Sequence, residues 1–210
     1  MTTETPKVGT IKVISDTLKK KNDKIARKIV SDSLILYNDF LYSDLKLNFT
    51  EISKNEFQSY KQRYKTGCVL DSGNFIRGSD LYVSRHCNEI CETYLSERTT
   101  NRKMLIPSSY DAGILTMLLS PACNKLIVCS SYDGPDYRNY YKHRAEIFVF
   151  KVTTGIGLKG IKPALKFYTK NWSIEDLTWV DDKIIALKIY EEAKLGDGSG
   201  IHYKYYKADL

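Results

Sequence analysis

The chain has 210 residues, with 32 Lys and Arg against 25 Asp and Glu and a formal charge of +7. A hydrophobic share of 42% and a charged share of 27% belong to a folded globular chain and exclude a disordered or collagen-like one. No apolar run approaches the ~20 residues that cross a bilayer as a helix, and five cysteines at irregular spacing argue against a disulfide framework, so reduced thiols are expected.

Charge is concentrated at the start. Lys7, Lys12, Lys19, Lys20, Lys21, Lys24, Arg27 and Lys28 face only Glu4, Asp16 and Asp23 in the first 30 residues. Ile11-Lys12-Val13-Ile14 reads as a short strand. Residues 16–30 read as a helix, with Ser15 or Asp16 as N-cap and Leu18, Ile25, Ile29 and Val30 near a 3.6 period. Leu34-Ile35-Leu36-Tyr37 suits a strand or a buried helical turn. Leu45, Leu47 and Phe49 alternate with Lys46, Asn48 and Thr50, the pattern of a half-buried strand. Ser53 and Glu56 form a capping box that opens a short polar helix over 53–65. Cys68-Val69-Leu70, Asp80-Leu81-Tyr82-Val83 and Lys103-Met104-Leu105-Ile106 read as strands. Residues 86–98 read as a short helix with Ile90, Tyr94, Cys87 and Cys91 near one face.

The C-terminal half is strand-rich. Strands are expected at 113–119, 125–130, 145–152, 164–169, 174–180, 183–190 and 201–206, separated by Gly, Pro, Asn and Asp. No connection is long enough for a crossover helix, which favours an antiparallel meander. The expected fold class is therefore α+β. A mixed helical and strand region covers 1–105 and an antiparallel β-meander covers 106–210, in one continuous domain or two.

The meander carries an internal repeat. Leu118-Leu119-Ser120-Pro121-Ala122-Cys123-Asn124-Lys125-Leu126-Ile127-Val128 and Leu177-Thr178-Trp179-Val180-Asp181-Asp182-Lys183-Ile184-Ile185-Ala186 each place a turn between strands. Each then leads through a long loop to an aromatic strand, Ile147-Phe148-Val149-Phe150-Lys151-Val152 in one and Ile201-His202-Tyr203-Lys204-Tyr205-Tyr206 in the other. Over residues 113–210 this resembles tandem β-propeller blades.

Several motifs point to chemistry without completing it. Gly155-Ile156-Gly157-Leu158-Lys159-Gly160 matches G-x-G-x-x-G, but Pro163 and a strand-like segment follow where a phosphate-binding helix is needed. His86-Cys87-Asn88-Glu89-Ile90-Cys91 lacks the second ligand pair of a zinc site. His86, His143 and His202 accompany Ser108, Ser109, Ser130 and Ser131, with no nucleophile elbow. Ser108-Ser109-Tyr110-Asp111 and Ser130-Ser131-Tyr132-Asp133 repeat a turn-forming word. No catalytic residue, metal site or cofactor is expected. Asn48-Phe49-Thr50 and Asn171-Trp172-Ser173 match glycosylation sequons, which carry no meaning in a cytoplasmic chain. The absence of an apolar signal core at the N-terminus makes the cytoplasm the expected location.

Binding is the better-supported class. The connection over 131–146 is too long for a tight hairpin, and it is rich in Tyr and Arg, which carry interface energy. Tyr132, Tyr137, Arg138, Tyr140, Tyr141, Lys142 and Arg144 are the expected partner-binding residues. The expected function is a non-enzymatic protein-binding module, in concrete form an immunity or inhibitor protein that occludes the active site of a toxin or effector. A second reading is nucleic-acid binding through Lys19, Lys20, Lys21, Lys24 and Arg27. A third is a hydrolase drawing on Glu175, Asp176, Asp181, Asp182, Glu191, Glu192 and Asp197 with a loop histidine.

Overall fold

The computed structural model describes residues 30–31, 34–68, 75–89, 91–107, 114–132, 142–191 and 201–210. Within these the chain is mostly β, with one α-helix and two short 3₁₀ helices. The first sheet has the order β1 (Val30–Ser31), β2 (Leu34–Ile35), β7 (Lys103–Leu105), β6 (Cys91–Glu97), β5 (Leu81–Cys87). The middle sheet runs β3 (Ser43–Asp44), β11 (Ile161–Thr169), β10 (Ala145–Val152), β9 (Lys125–Ser131), β8 (Ile114–Leu119). The third runs β12 (Ser173–Trp179), β13 (Ile184–Tyr190), β14 (Tyr203–Asp209), β4 (Phe49–Glu51). Pairing is antiparallel except where β2 meets β7 and β3 meets β11.

The middle sheet is buried on both faces. Side chains alternate faces along a strand. Leu126 and Val128 of β9, with Phe148, Phe150 and Val152 of β10, join Leu81, Leu95 and Met104 of the first sheet in one core. Ile127 and Cys129, with Ala145, Ile147 and Val149, join Ile174, Leu177, Ile185 and Leu187 of the third sheet in another. Two dry faces explain why both strands read as unbroken apolar runs rather than as alternation.

Helix α1 (Lys54–Arg63) covers the outer face of the third sheet, where Phe57 meets Ala186 and Ile52 and its ring lies 5.5 Å from that of Tyr205. The capping box forms as expected: Ser53 Oγ accepts from the Glu56 amide at 3.1 Å, and Glu56 accepts from the Ser53 amide at 2.9 Å. These bonds hold the Glu56 carboxyl below its ordinary pKa. Strand β8 is an edge of the middle sheet, and side chains bond to two of its carbonyls. Trp179 Nε1 donates to Leu118 O at 3.2 Å, and the Tyr64 hydroxyl donates to Leu119 O at 2.6 Å. Occupied edge carbonyls are unavailable to a foreign strand.

Several expectations are corrected. The resemblance to propeller blades fails: three open sheets of four or five strands stack in layers and close no ring. The repeat reports only that each segment is an up-and-down meander, and strands from earlier in the chain, β3 and β4, complete two of the sheets. The helical N-terminal half is not what the described residues show. The helix expected over 16–30 lies outside them except for Val30, which pairs with Ile35 in strand. The expected helix over 86–98 is the β5–β6 hairpin, because Thr93 and Leu95 enter the core on a two-residue period. The strand expected over 45–50 is reduced to β4, and the one over Cys68-Val69-Leu70 lies mostly outside the described residues. The C-terminal strands match closely.

The thiols also differ from expectation. Cys68 bonds to Cys123 and Cys87 to Cys91, leaving Cys129 free and buried, its thiol pushed far up by burial. The spacing looks irregular in sequence because one bridge closes a hairpin and the other joins distant segments.

Phe57→Ala removes the fully buried ring at the centre of the packing between α1 and the third sheet's outer face. It should cost about 3–5 kcal/mol of stability, read as a lower urea midpoint with an unchanged m-value.

Candidate functional site

Strand register gathers three connections at one end of the middle and third sheets. In the middle sheet, Ile114 is opposite Ser131, Ser131 opposite Ala145, and Ala145 opposite Thr169. In the third sheet, Ser173 is opposite Tyr190, and Tyr190 opposite Tyr203. The connections over 107–113, 132–144 and 191–202 therefore all leave from this end.

The described roots of these connections are tied together. Ser131 Oγ accepts from the Ile174 amide at 2.9 Å and donates to Arg144 O at 3.4 Å, and Ser173 Oγ donates to Tyr132 O at 3.3 Å, so two sheets are joined by hydroxyls. The Tyr132 amide donates to Arg144 O at 3.0 Å, and the Arg144 amide donates to Thr169 O at 2.8 Å. The Arg144 guanidinium lies 5.8 Å from the Tyr190 ring centre, and Tyr190 meets Tyr203 edge-on at 5.7 Å. Lys188 Nζ sits 3.7 Å from the centre of Tyr203 and 3.7 Å from Glu175. On the other face, His143 stacks on Tyr168 at 4.2 Å.

Of the expected partner-binding residues, Lys142 is exposed, Tyr132 is half-buried, and Arg144 is 3% exposed with internal contacts. Tyr137, Arg138, Tyr140 and Tyr141 lie outside the described residues, as do Lys19, Lys20, Lys21, Lys24 and Arg27 and the first copy of the Ser-Ser-Tyr-Asp word. Its second copy supplies Ser131 and Tyr132 to the root. Ser173, Lys188, Tyr190 and Tyr203 were not among the binding residues expected from the sequence. Each reads there as an ordinary strand residue, and only pairing across β12, β13 and β14 assembles them.

The opposite end carries the β8–β9 and β12–β13 turns together with the connections over 64–80 and 153–160. Asp181 Oδ1 accepts from the Lys183 and Ile184 amides at 2.7 and 2.9 Å, and Asp182 Oδ1 accepts from the Ala122 amide at 2.8 Å. These two acidic residues thus shape and dock turns. The glycine motif opens a four-residue 3₁₀ helix (Gly157–Gly160). Glu97 of the first sheet accepts from the Leu158 amide at 3.1 Å and also from the Thr100 hydroxyl. Gly157 has φ +62°, and a Cβ there would lie 1.7 Å from Glu97 Oε1. The glycine therefore admits a carboxylate from a neighbouring sheet, not a phosphate.

Beside it is a cleft of about 300 Å³ lined by Asp80, Glu97, Thr99, Thr100 and the glycines. The Thr99 hydroxyl and amide both donate to Asp80, the amide at 2.7 Å, and hold its carboxyl below the usual aspartate range. A second cleft, of about 500 Å³, borders the Cys68–Cys123 bridge, with Arg77, Asn124, Thr153 and Thr154. Among the described residues, no group of three or more His, Cys, Asp or Glu is placed to hold a metal. No family model, curated protein or solved structure matches the chain.

Two outcomes follow for the turn end. Gly157→Ala must leave the left-handed region or displace Glu97, and should lower stability by about 1–3 kcal/mol in urea unfolding. The folded pKa of Asp80 is depressed, so its stabilising contribution is complete above the ordinary aspartate pKa and is lost as pH falls through the folded value. The stability difference between the parent and Asp80→Asn should therefore shrink from pH 7 toward pH 3, and a constant difference contradicts the assignment.

Proposed function

We propose that the chain is a non-enzymatic binding module that engages another protein through its loop-bearing end. The observation that carries this reading is that the connections over 107–113, 132–144 and 191–202 leave from one end of two sheets, where Ser131 and Ser173 bind the root of the 132–144 connection to β12. Loops held by a rigid scaffold are the common form of a recognition surface, and ordered roots reduce the entropy lost on binding. The connection between β9 and β10 brings Tyr137, Arg138, Tyr140 and Tyr141, residue types that fill pockets and donate hydrogen bonds together.

The concrete form is an inhibitor or immunity protein whose loops enter the concave active site of a toxin or effector. The connections over 107–113, 132–144 and 191–202, carried together at one end of the middle and third sheets, are placed for that insertion. Among the described residues, no helix is long and apolar enough to cross a membrane.

The test is affinity capture from the native source, followed by measurement on the purified complex. Arg138→Ala and Tyr140→Ala should each weaken binding by over ~1 kcal/mol without altering the urea midpoint. Ile156→Ser, at an exposed position on the opposite end, should leave affinity unchanged. Loss with Ile156→Ser and retention with both loop variants reverses the assignment of the binding end.

A further inference from the structure

The two disulfides differ in exposure. Cys68 is 4% exposed and belongs to the core between the first and middle sheets, with the half-buried Cys123 packed against it beside the larger cleft. Cys87 is exposed and Cys91 half-buried, at the tip of the β5–β6 hairpin, and the adjoining Asn88 and Glu89 are exposed too. We propose that Cys87–Cys91 is a thiol–disulfide exchange site, opened by a dithiol and reclosed by the corresponding cyclic disulfide, and that Cys68–Cys123 is a permanent structural bridge.

Chain length supports the division. The Cys68–Cys123 bridge joins residues 55 positions apart, whereas Cys87 and Cys91 are separated by four. Closing a longer loop restrains the unfolded chain more, so the long bridge does more for the fold and the short one little. The hairpin does not need its bridge for register either. Pairing from Leu81 opposite Glu97 to His86 opposite Glu92 holds β5 on β6, and Leu81 and Leu95 anchor it in the core. Opening the tip leaves these pairs intact, which makes the step locally reversible. Cys129 cannot interfere, because it is buried and burial keeps its thiol protonated.

The exchange balances in two displacements. A thiolate of the dithiol attacks the exposed Cys87 Sγ, forming a mixed disulfide and expelling Cys91 as a thiolate. The second thiol of the same reagent then attacks its own sulfur in the mixed disulfide and expels Cys87. Two electrons pass to the hairpin cysteines, which take up two protons, and the dithiol leaves as a cyclic disulfide. The tip lies at the end of the first sheet away from Glu97 and the glycine turn, so the bond that changes is at the far end of the hairpin from that contact.

The experiment exposes the full native chain to graded dithiothreitol, traps thiols with N-ethylmaleimide and maps them by peptide mass spectrometry. Cys87 and Cys91 should be labelled at a dithiothreitol concentration at least ~10-fold below that needed for Cys68 and Cys123. The β-sheet circular dichroism should be unchanged at that point, and oxidised dithiothreitol should restore the bridge. In Cys91→Ser, the lone Cys87 should form a stoichiometric mixed disulfide with oxidised glutathione. Reduction of both bridges together, earlier reduction of Cys68–Cys123, or labelling of Cys87 only after loss of the folded spectrum overturns the proposal.

Discussion

Burial of the middle sheet on both faces is the constraint on which the rest of the molecule depends. Strands β9 and β10 send successive side chains into two separate cores, so neither strand has a solvent-facing side along most of its length. Each buried Leu, Ile, Val or Phe contributes on the order of 1.5–3 kcal/mol relative to exposure, and here the same two strands collect that gain twice. The first sheet has only one face on this core, and the third borrows α1 to cover its other face. Layer order therefore follows from where the unbroken apolar runs lie.

Polar groups then set how the layers align. Ser131 and Ser173 join the middle and third sheets at one end, Asp182 joins them at the other, and Glu97 joins the first sheet to the glycine turn. A single such bond adds only about 1 kcal/mol net, but removing one partner leaves a backbone donor or acceptor without its bond, at greater cost. These contacts have no freedom to slide, and a shift of one residue would move every strand side chain to the opposite face. The Asp181–Asp182 and Pro121–Asn124 turns are thereby docked at one end, and the connections over 107–113, 132–144 and 191–202 leave from the other.

Legibility in the sequence followed the range of the interaction. The seven C-terminal strands could be read because their alternation and turn residues are local, and the Ser53–Glu56 box because it spans three positions. The 86–98 segment was misread because Ile90, Tyr94 and the cysteines also fit a helical spacing, and the two-residue period is decided by Thr93 and Leu95 entering a core made by other sheets. The glycine motif was read as a connection between strands, and its partner in the fold, Glu97, lies 60 residues away and carries no local mark. The loop over 131–146 was visible as long and Tyr-rich, but the burial of Arg144 at its root was not.

Local chemistry in the chain was enough to determine strand identity, the capping of α1, the dominance of antiparallel pairing and the places where turns fall. Period-two patterning, capping geometry and turn propensity act over a few residues and are written in order. The tertiary structure alone decided the layered stack over a ring, the pairing of Cys68 with Cys123 and of Cys87 with Cys91, and the gathering of three connections at one end. Each of those depends on which surfaces meet across tens of residues. A meander looks the same from its own sequence whichever face its neighbour covers.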